Sequence, residues 1–229
     1  MSVKKDMKTI LLKKITLTLL CINFSILLAT NKKKFSIMID PAGTTRYTGR
    51  IIDNTFERGI TLQFVQELKK LLEKQIPTCK IMLSRSAGET ISELQNAAFS
   101  NRLNVDLYLS IHFYQEQGVK PNLYLYQFSY NDEFITSWFD LAFYSYDQAY
   151  RANSTRTTQW INAINHELDT DDYKKQFDLK GPFKLPFRPL IGIKASGIAL
   201  EASLKKNHDW TIYLEPIING ITSIIKQQS

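Results

Sequence analysis

The chain has 229 residues, 44% of them hydrophobic and 22% charged, which is enough to build one domain with a substantial core. Its formal charge of +7 arises within residues 1–34, where eight lysines accompany one aspartate, and the other 195 residues balance 21 basic against 21 acidic side chains. A remainder without net charge does not support a basic face that tracks phosphates, so we expect no nucleic-acid partner.

The first 32 residues are typical of an export signal, because lysines precede an apolar run from Ile15 to Thr30. The run is short for a membrane span, and an uncleaved anchor over residues 15–30 and a buried N-terminal helix remain alternatives. We therefore expect residues 1–32 to be a signal peptide or anchor and residues 33–229 to be the folded domain. The protein would be exported to the periplasm or cell envelope, with membrane contact only through the N-terminal segment.

The remaining elements alternate between strand and helix. The hydrophobic pattern predicts strands over residues 35–40, 80–84, 106–114, 123–128, 190–193 and 198–200, and helices over residues 55–75, 90–103, 155–168 and 209–228. Residues 41–55 are polar and irregular, and residues 169–188 are predicted to form a loop or lid. This alternation predicts a single α/β domain with a twisted, mostly parallel sheet flanked by helices.

Aromatic residues are concentrated between positions 124 and 150. One interpretation is a stacking platform for a sugar or a peptide. The interpretation we favour is structural, with one helix burying a stripe formed by Phe134, Trp138, Phe139 and Phe143.

Polar side chains follow several of the predicted strands or begin the first helix, namely Asp40, Glu57, His112 and Glu201. The carboxyl ends of parallel strands meet at one edge of a sheet, so these groups can converge there. His112 alone would more often be a satisfied core histidine. Together with carboxylates it suggests a zinc hydrolase, which uses three nitrogen or oxygen ligands and a nearby carboxylate as general base. Removal of the signal would leave Cys79 as the one cysteine, which argues against a cysteine-based metal site.

The order of these segments resembles the zinc-dependent N-acetylmuramoyl-L-alanine amidases of the amidase-3 family, which cleave peptidoglycan. The similarity runs from about Phe35 to Gln228, and its most specific part is the Ser-Ile-His segment. The segments that carry it are Asp40-Pro41-Ala42-Gly43, Glu57-Arg58-Gly59-Ile60-Thr61-Leu62, Leu83-Ser84-Arg85, Val105-Asp106-Leu107-Tyr108-Leu109-Ser110-Ile111-His112, and Gly197-Ile198-Ala199-Leu200-Glu201 with Asn207.

The resemblance implies a role for each matching residue. Glu57 and His112 match two ligands of Zn²⁺, Glu201 matches the catalytic carboxylate, and Arg85 and Asn207 match substrate-binding positions. With zinc bound, the family chemistry would have Glu201 act as the base for an attack on the amide between muramic acid and L-alanine.

The match fails where the family places its first zinc-ligand histidine, because this chain has Gly43 there. Tyr114 and Asn96 also replace an asparagine and an arginine that are usual in the family. Substitute ligands would be His208, Asp40 or Asp53. Three hypotheses follow: a degenerate member that binds peptidoglycan or a wall partner without cutting it, an active amidase with a substituted ligand, and an exported domain with an unrelated interaction role.

Overall fold

The computed structural model describes residues 34–130 and 145–227, and the described residues from Phe35 onward form one compact unit. The strands are β1 (Ser36–Pro41), β2 (Ile51–Ile52), β3 (Thr55–Phe56), β4 (Lys80–Leu83), β5 (Leu107–Gln115), β6 (Asn122–Phe128), β7 (Asp178–Leu185) and β8 (Ser196–Leu204). The helices are α1 (Glu57–Gln75), α2 (Glu93–Leu103), α3 (Ser154–Leu168), α4 (Asp171–Lys174) and α5 (Leu214–Lys226). Single 3₁₀ turns cover Ala149–Asn153, Arg188–Leu190 and Asp209–Tyr213.

Six strands form one sheet in the order β4-β1-β5-β8-β6-β7, and β2 pairs with β3 in a small separate hairpin. The four strands β4, β1, β5 and β8 are mutually parallel. Strand β6 runs antiparallel to β8, and β7 runs parallel to β6. The expected α/β domain with a mostly parallel sheet is therefore confirmed.

Alternate residues of the central strands enter two different cores, which places helices on both faces of the sheet. On β5, Leu107, Leu109 and Ile111 pack with the apolar stripes of α1, α3 and α5. Tyr108 points the other way, into a smaller core with Ala97 of α2. This period-two division was predicted from the β5 sequence.

Three predictions about local structure were wrong. Residues 169–188 are not an irregular lid, because α4 and the edge strand β7 lie there, and residues 41–55 contain β2 and the start of β3. Residues 190–193 are not a strand and lie in and after a 3₁₀ turn. Strand β7 was not predicted because it is an edge strand of the sheet, paired with β6 alone. Its side chains stay partly or fully exposed, so its sequence lacks the apolar run that indicates a strand.

Two predicted segments lie outside the described residues, namely the N-terminal signal or anchor and the aromatic helix around residues 134–143. Within residues 34–130 and 145–227, no helix combines the length and the apolarity that crossing a membrane requires.

The larger core makes a testable prediction at Phe64 of α1. Its side chain is fully buried and lies edge-on to Phe113 and Trp210, at centroid distances of 5.3 and 5.8 Å. Phe64→Ala is expected to lower the free energy of unfolding by about 3–5 kcal/mol through lost burial and a new cavity. Urea denaturation measures this, with Val119→Ala at a fully exposed position as the control. Equal effects of the two substitutions would contradict the proposed core.

Candidate functional site

The sheet register brings the predicted site residues to one region. His112 on β5 pairs with Glu201 on β8, and Asp40 on β1 pairs with Ser110 on β5. These four residues lie on the α2 side of the sheet, because they alternate with residues of the larger core. Glu57 reaches the same region from the first position of α1.

The Glu57 carboxylate is buried and fully bonded. Its Oε1 accepts a hydrogen bond from the backbone N–H of Phe113 at 3.1 Å, and its Oε2 accepts one from the backbone N–H of Arg50 at 3.1 Å. His112 Nδ1 lies 3.6 Å from Oε1. Burial alone would raise the pKa of this carboxyl, but the close approach and charge of His112 and the two N–H donors outweigh it, so the pKa is lowered.

Glu201 is held by two partners that the sequence did not identify. Arg50 Nη1 lies 2.6 Å from Glu201 Oε1, and the Tyr126 hydroxyl donates to Oε2 at 3.0 Å. Burial, followed by the charge of Glu201, raises the pKa of Tyr126 well above its ordinary value, so the phenol remains a donor. The Leu-Tyr alternation of β6 could have placed Tyr126 on this face, but nothing local indicated that Arg50 would reach Glu201.

Arg50 connects three elements that carry the site. Its backbone is hydrogen-bonded to the start of α1: its N–H donates to the Glu57 carboxylate, and its carbonyl accepts the Glu57 N–H at 2.8 Å. Its guanidinium reaches Glu201 on β8 and donates to the carbonyl of Phe113 on β5 at 3.4 Å. A fixed cation therefore sits beside the carboxylate that the resemblance identifies as catalytic.

The loop at Gly43 has no room for a side chain. Gly43 has φ +78°, and a Cβ there would lie 2.7 Å from the Cβ of Arg58 and 3.1 Å from the carbonyl oxygen of Thr48. Both the backbone conformation and the close approach of α1 therefore require glycine. The histidine that the resemblance implies at this position does not fit the loop.

The residues present do not fit a zinc site. Among residues 34–130 and 145–227, no three His, Cys, Asp or Glu side chains group so that they could hold a metal ion. Glu57 Oε1 and His112 Nδ1 lie 3.6 Å apart, while the second ring nitrogen of His112, Nε2, is hydrogen-bonded to Ser110 Oγ at 2.9 Å. These two donors fall one short of the three protein ligands that a catalytic zinc site provides.

The substitute ligands considered from the sequence do not complete that set. His208 lies in the loop after β8, where its Nδ1 is hydrogen-bonded to Asn207 Oδ1 at 2.9 Å. Asp53 Oδ2 accepts the backbone N–H of Asn207 at 3.4 Å. Asp40 is buried and engaged by other side chains.

Asp40 is the acceptor at the centre of a buried polar cluster. Ser84 Oγ and Asn96 Nδ2 both donate to its Oδ1, the latter at 2.8 Å, and Ser110 Oγ donates to Oδ2 at 3.4 Å. Burial raises the pKa of Asp40 despite these donors. Asn96, which replaces the arginine usual in the family, thus has a structural partner here.

The two residues assigned to substrate binding by resemblance lie in different surroundings. Arg85 is buried and donates to the backbone carbonyls of Pro41, Ala42 and Arg58, which fastens the loop after β1 to α1. Asn207 lies in the loop after β8 beside His208. Arg85 also lines a cavity, so a contact with substrate stays a prediction.

A cavity of about 720 Å³ opens beside His112. We call it the basic groove, and the charged or titratable side chains that line it are those of Asp40, Arg46, Tyr47, Arg85, Glu93, His112 and Arg188. Arg188 lies 3.5 Å from Glu93. Three guanidinium groups against two carboxyls, one of them the buried Asp40, make this groove suited to ligands that carry carboxylates.

Comparisons with known proteins agree with the fold. The amidase-3 family model, described as N-acetylmuramoyl-L-alanine amidase, matches residues 37–209. A curated relative, the N-acetylmuramoyl-L-alanine amidase CwlM of Bacillus licheniformis, is 30% identical over 90 residues, which are 39% of this chain and 36% of the relative. The match therefore spans about a third of that relative's length.

Solved structures extend the agreement to most of the chain at low identity. The catalytic domain of CwlV, an N-acetylmuramoyl-L-alanine amidase from Bacillus (Paenibacillus) polymyxa var. colistinus, is 13% identical with a TM-score of 0.59, covering 84% of this chain and 97% of that one. The amidase Ami1 from Mycobacterium smegmatis is 13% identical with a TM-score of 0.61, covering 87% and 100%. At this identity the likeness shows the fold.

The bonding of Glu57 predicts a structural role that does not depend on metal. Glu57→Gln is expected to lower the free energy of unfolding by about 1–3 kcal/mol, because an amide cannot accept from both backbone N–H groups and one buried donor loses its partner. Urea denaturation in EDTA measures the change. Folding lowers the pKa of Glu57, so the ionised carboxylate stabilises the fold at any pH above the pKa that Glu57 has in the unfolded chain. This stabilisation is lost as the pH falls through the pKa of Glu57 in the folded protein. The free energies of unfolding of the wild-type and Glu57→Gln proteins should therefore converge in acid. A difference in the free energy of unfolding that stays the same from neutral to acidic pH would contradict this role.

The loop geometry predicts that a histidine introduced at position 43 does not create a zinc site. Gly43→His is expected to lower stability by about 1–2 kcal/mol or more from the left-handed backbone alone, and to add no bound zinc. Gly59→His is the matched control, because an added Cβ at Gly59 meets nothing within 4 Å. Thermal unfolding and metal analysis after dialysis provide the readouts. A stable Gly43→His protein with one zinc per chain would refute this account of the loop.

Proposed function

The chain belongs to the amidase-3 family of N-acetylmuramoyl-L-alanine amidases, and on that basis we propose that it binds peptidoglycan without hydrolysing it. The observation that carries the proposal is the pairing of the family's site residues with protein partners. Glu57 is held by backbone N–H groups and His112, and Glu201 is held by Arg50 and Tyr126. With Gly43 in place of a ligand, the groups that would bind metal and activate water are engaged elsewhere.

The cavity beside these residues supports retained binding. The basic groove lies against His112 and has three arginines along its walls. Peptide stems of peptidoglycan carry carboxylates, which guanidinium groups recognise with directed hydrogen bonds. The proposal includes export of the chain, with residues 1–32 as signal or anchor and residues 33–229 as the wall-binding domain.

An active amidase with a substituted ligand remains the second candidate. The observation in its favour is that Glu57, His112 and Glu201 are all present and gathered at one end of the sheet, with His112 and Glu201 as direct partners across β5 and β8. This candidate requires a third donor to join Glu57 and His112, whose Oε1 and Nδ1 atoms lie 3.6 Å apart.

Incubation of the purified chain with isolated sacculi tests the proposal. We expect the chain to sediment with sacculi equally in EDTA and in added zinc, and to release no peptide stems into the supernatant. Release that requires zinc and is lost in Glu201→Gln would establish the active enzyme instead. Failure to sediment under either condition would reject peptidoglycan binding.

A charge reversal then tests the place of binding. Arg188→Glu in the basic groove is expected to weaken sedimentation with sacculi. It removes a guanidinium that can pair with the carboxylates of the peptide stems, and it adds a negative charge that repels them. Lys80→Glu is the control, since Lys80 is exposed at the amino end of β4, the opposite end of the parallel strands. Equal loss with both substitutions would indicate nonspecific charge attraction to the wall.

A further inference from the structure

A second cavity, of about 640 Å³, lies beside Glu201 and differs in chemistry from the basic groove. We call it the tyrosine cleft, and the lining residues that define it are Arg50, Tyr114, Glu116, Tyr124, Tyr126 and Glu201. They come from the loop before β2, from the end of β5 and the residue that follows it, and from β6 and β8. The size lies within the range of small-molecule sites in proteins.

The aromatic rings of the cleft form an ordered set. The rings of Tyr124 and Tyr126 are nearly parallel, with centroids 6.1 Å apart and an interplanar angle of 3°. Phe187 continues the series at 4.9 Å and 7° from Tyr126, and Tyr114 is tilted against Tyr124 at 6.4 Å. All three tyrosines are half-buried, so part of each ring borders the cleft.

Carboxylates fix two of these rings in place. The hydroxyl of Tyr126 donates to Glu201 at 3.0 Å, and the hydroxyl of Tyr114 donates to Glu116 at 3.0 Å. Rings that are already oriented lose little freedom when a ligand binds, which favours recognition by stacking.

The charged groups of the cleft already have partners within the protein, because Glu116 accepts hydrogen bonds from Tyr114 and Asn122 and Glu201 is paired with Arg50. Two carboxylates against one guanidinium also leave no attraction for an anion. A cation is opposed by Arg50, whose guanidinium already lies 5.6 Å from the centroid of the Tyr114 ring and 2.6 Å from Glu201. What remains is hydrogen-bonding capacity beside apolar ring surface, which suits a neutral molecule with several hydroxyls.

We propose that the tyrosine cleft is a saccharide subsite, in which a neutral pyranose of a glycan chain packs on the tyrosines and hydrogen-bonds to Arg50 and Glu201. The subsite rests on the proposed function, since it assigns the sugar part of the wall polymer to this cleft and leaves the peptide part to the basic groove. His112 lines the basic groove and Glu201 lines the tyrosine cleft, and the two residues are register partners on one face of the sheet, so the two cavities begin at neighbouring residues.

Titration of the purified chain with chitotetraose, a neutral chain of N-acetylglucosamine, tests the subsite by calorimetry. We expect saturable binding that Tyr124→Leu weakens roughly tenfold and Tyr124→Phe leaves within a factor of about two, because phenylalanine keeps the ring. Tyr130→Ala is the control, as Tyr130 is an exposed tyrosine that lines neither the tyrosine cleft nor the basic groove. Circular dichroism of each variant confirms that it is folded.

The outcomes separate this inference from the function on which it rests. No saturable binding of chitotetraose, with sacculus sedimentation retained, overturns the subsite alone. Binding of chitotetraose without sedimentation supports the subsite and rejects the wall-binding function. An equal loss of affinity in Tyr130→Ala and Tyr124→Leu, or in Tyr124→Phe and Tyr124→Leu, overturns the assignment to the Tyr124 ring.

Discussion

The geometry of the site depends on one buried carboxylate. Glu57 is placed at the start of α1, where it is out of contact with water, and a charge in that position is tolerated only if its oxygens are bonded. The available donors are the backbone N–H groups of Arg50 and Phe113. By satisfying Glu57, these two groups fasten the loop before β2 and the end of β5 to the helix. Gly49 permits this approach, because a Cβ at that position would lie 2.6 Å from Glu57 Oε2.

The position of Arg50 follows from that attachment and determines the state of Glu201. Once its backbone is fixed against α1, its side chain spans the distance to β8 and pairs with a carboxylate that sheet register has placed beside His112. A guanidinium carries charge without offering a site for water activation. Arg50 therefore neutralises the carboxylate that the family resemblance marks as catalytic, and it also supplies the cation among the residues that define the tyrosine cleft.

The sequence predicted the central sheet better than its surroundings, for physical reasons. Strands β1 and β5 are buried on both faces, so their apolar runs, and the polar or turn residues that end them, were sufficient to predict them as strands. The β2–β3 hairpin has two residues per strand, too few to show a period, and β7 is an edge strand with mixed polarity. For the site, chain order and the resemblance indicated that Glu57, His112 and Glu201 would lie close together, as they do, while their roles stay predictions. The bonds that define their state are long-range, and neither the Arg50–Glu201 pair nor the crowding at Gly43 has a local sequence signal.

The loop at Gly43 also limits what one substitution can achieve. Arg58 and the carbonyl of Thr48 occupy the space that a side chain at position 43 would need. A residue with a side chain there requires the loop or the start of α1 to withdraw, and Arg85, which ties both together through backbone carbonyls, opposes that withdrawal. A three-ligand site is thus conditional on several coordinated changes, and a single substitution leads to strain before it leads to metal binding.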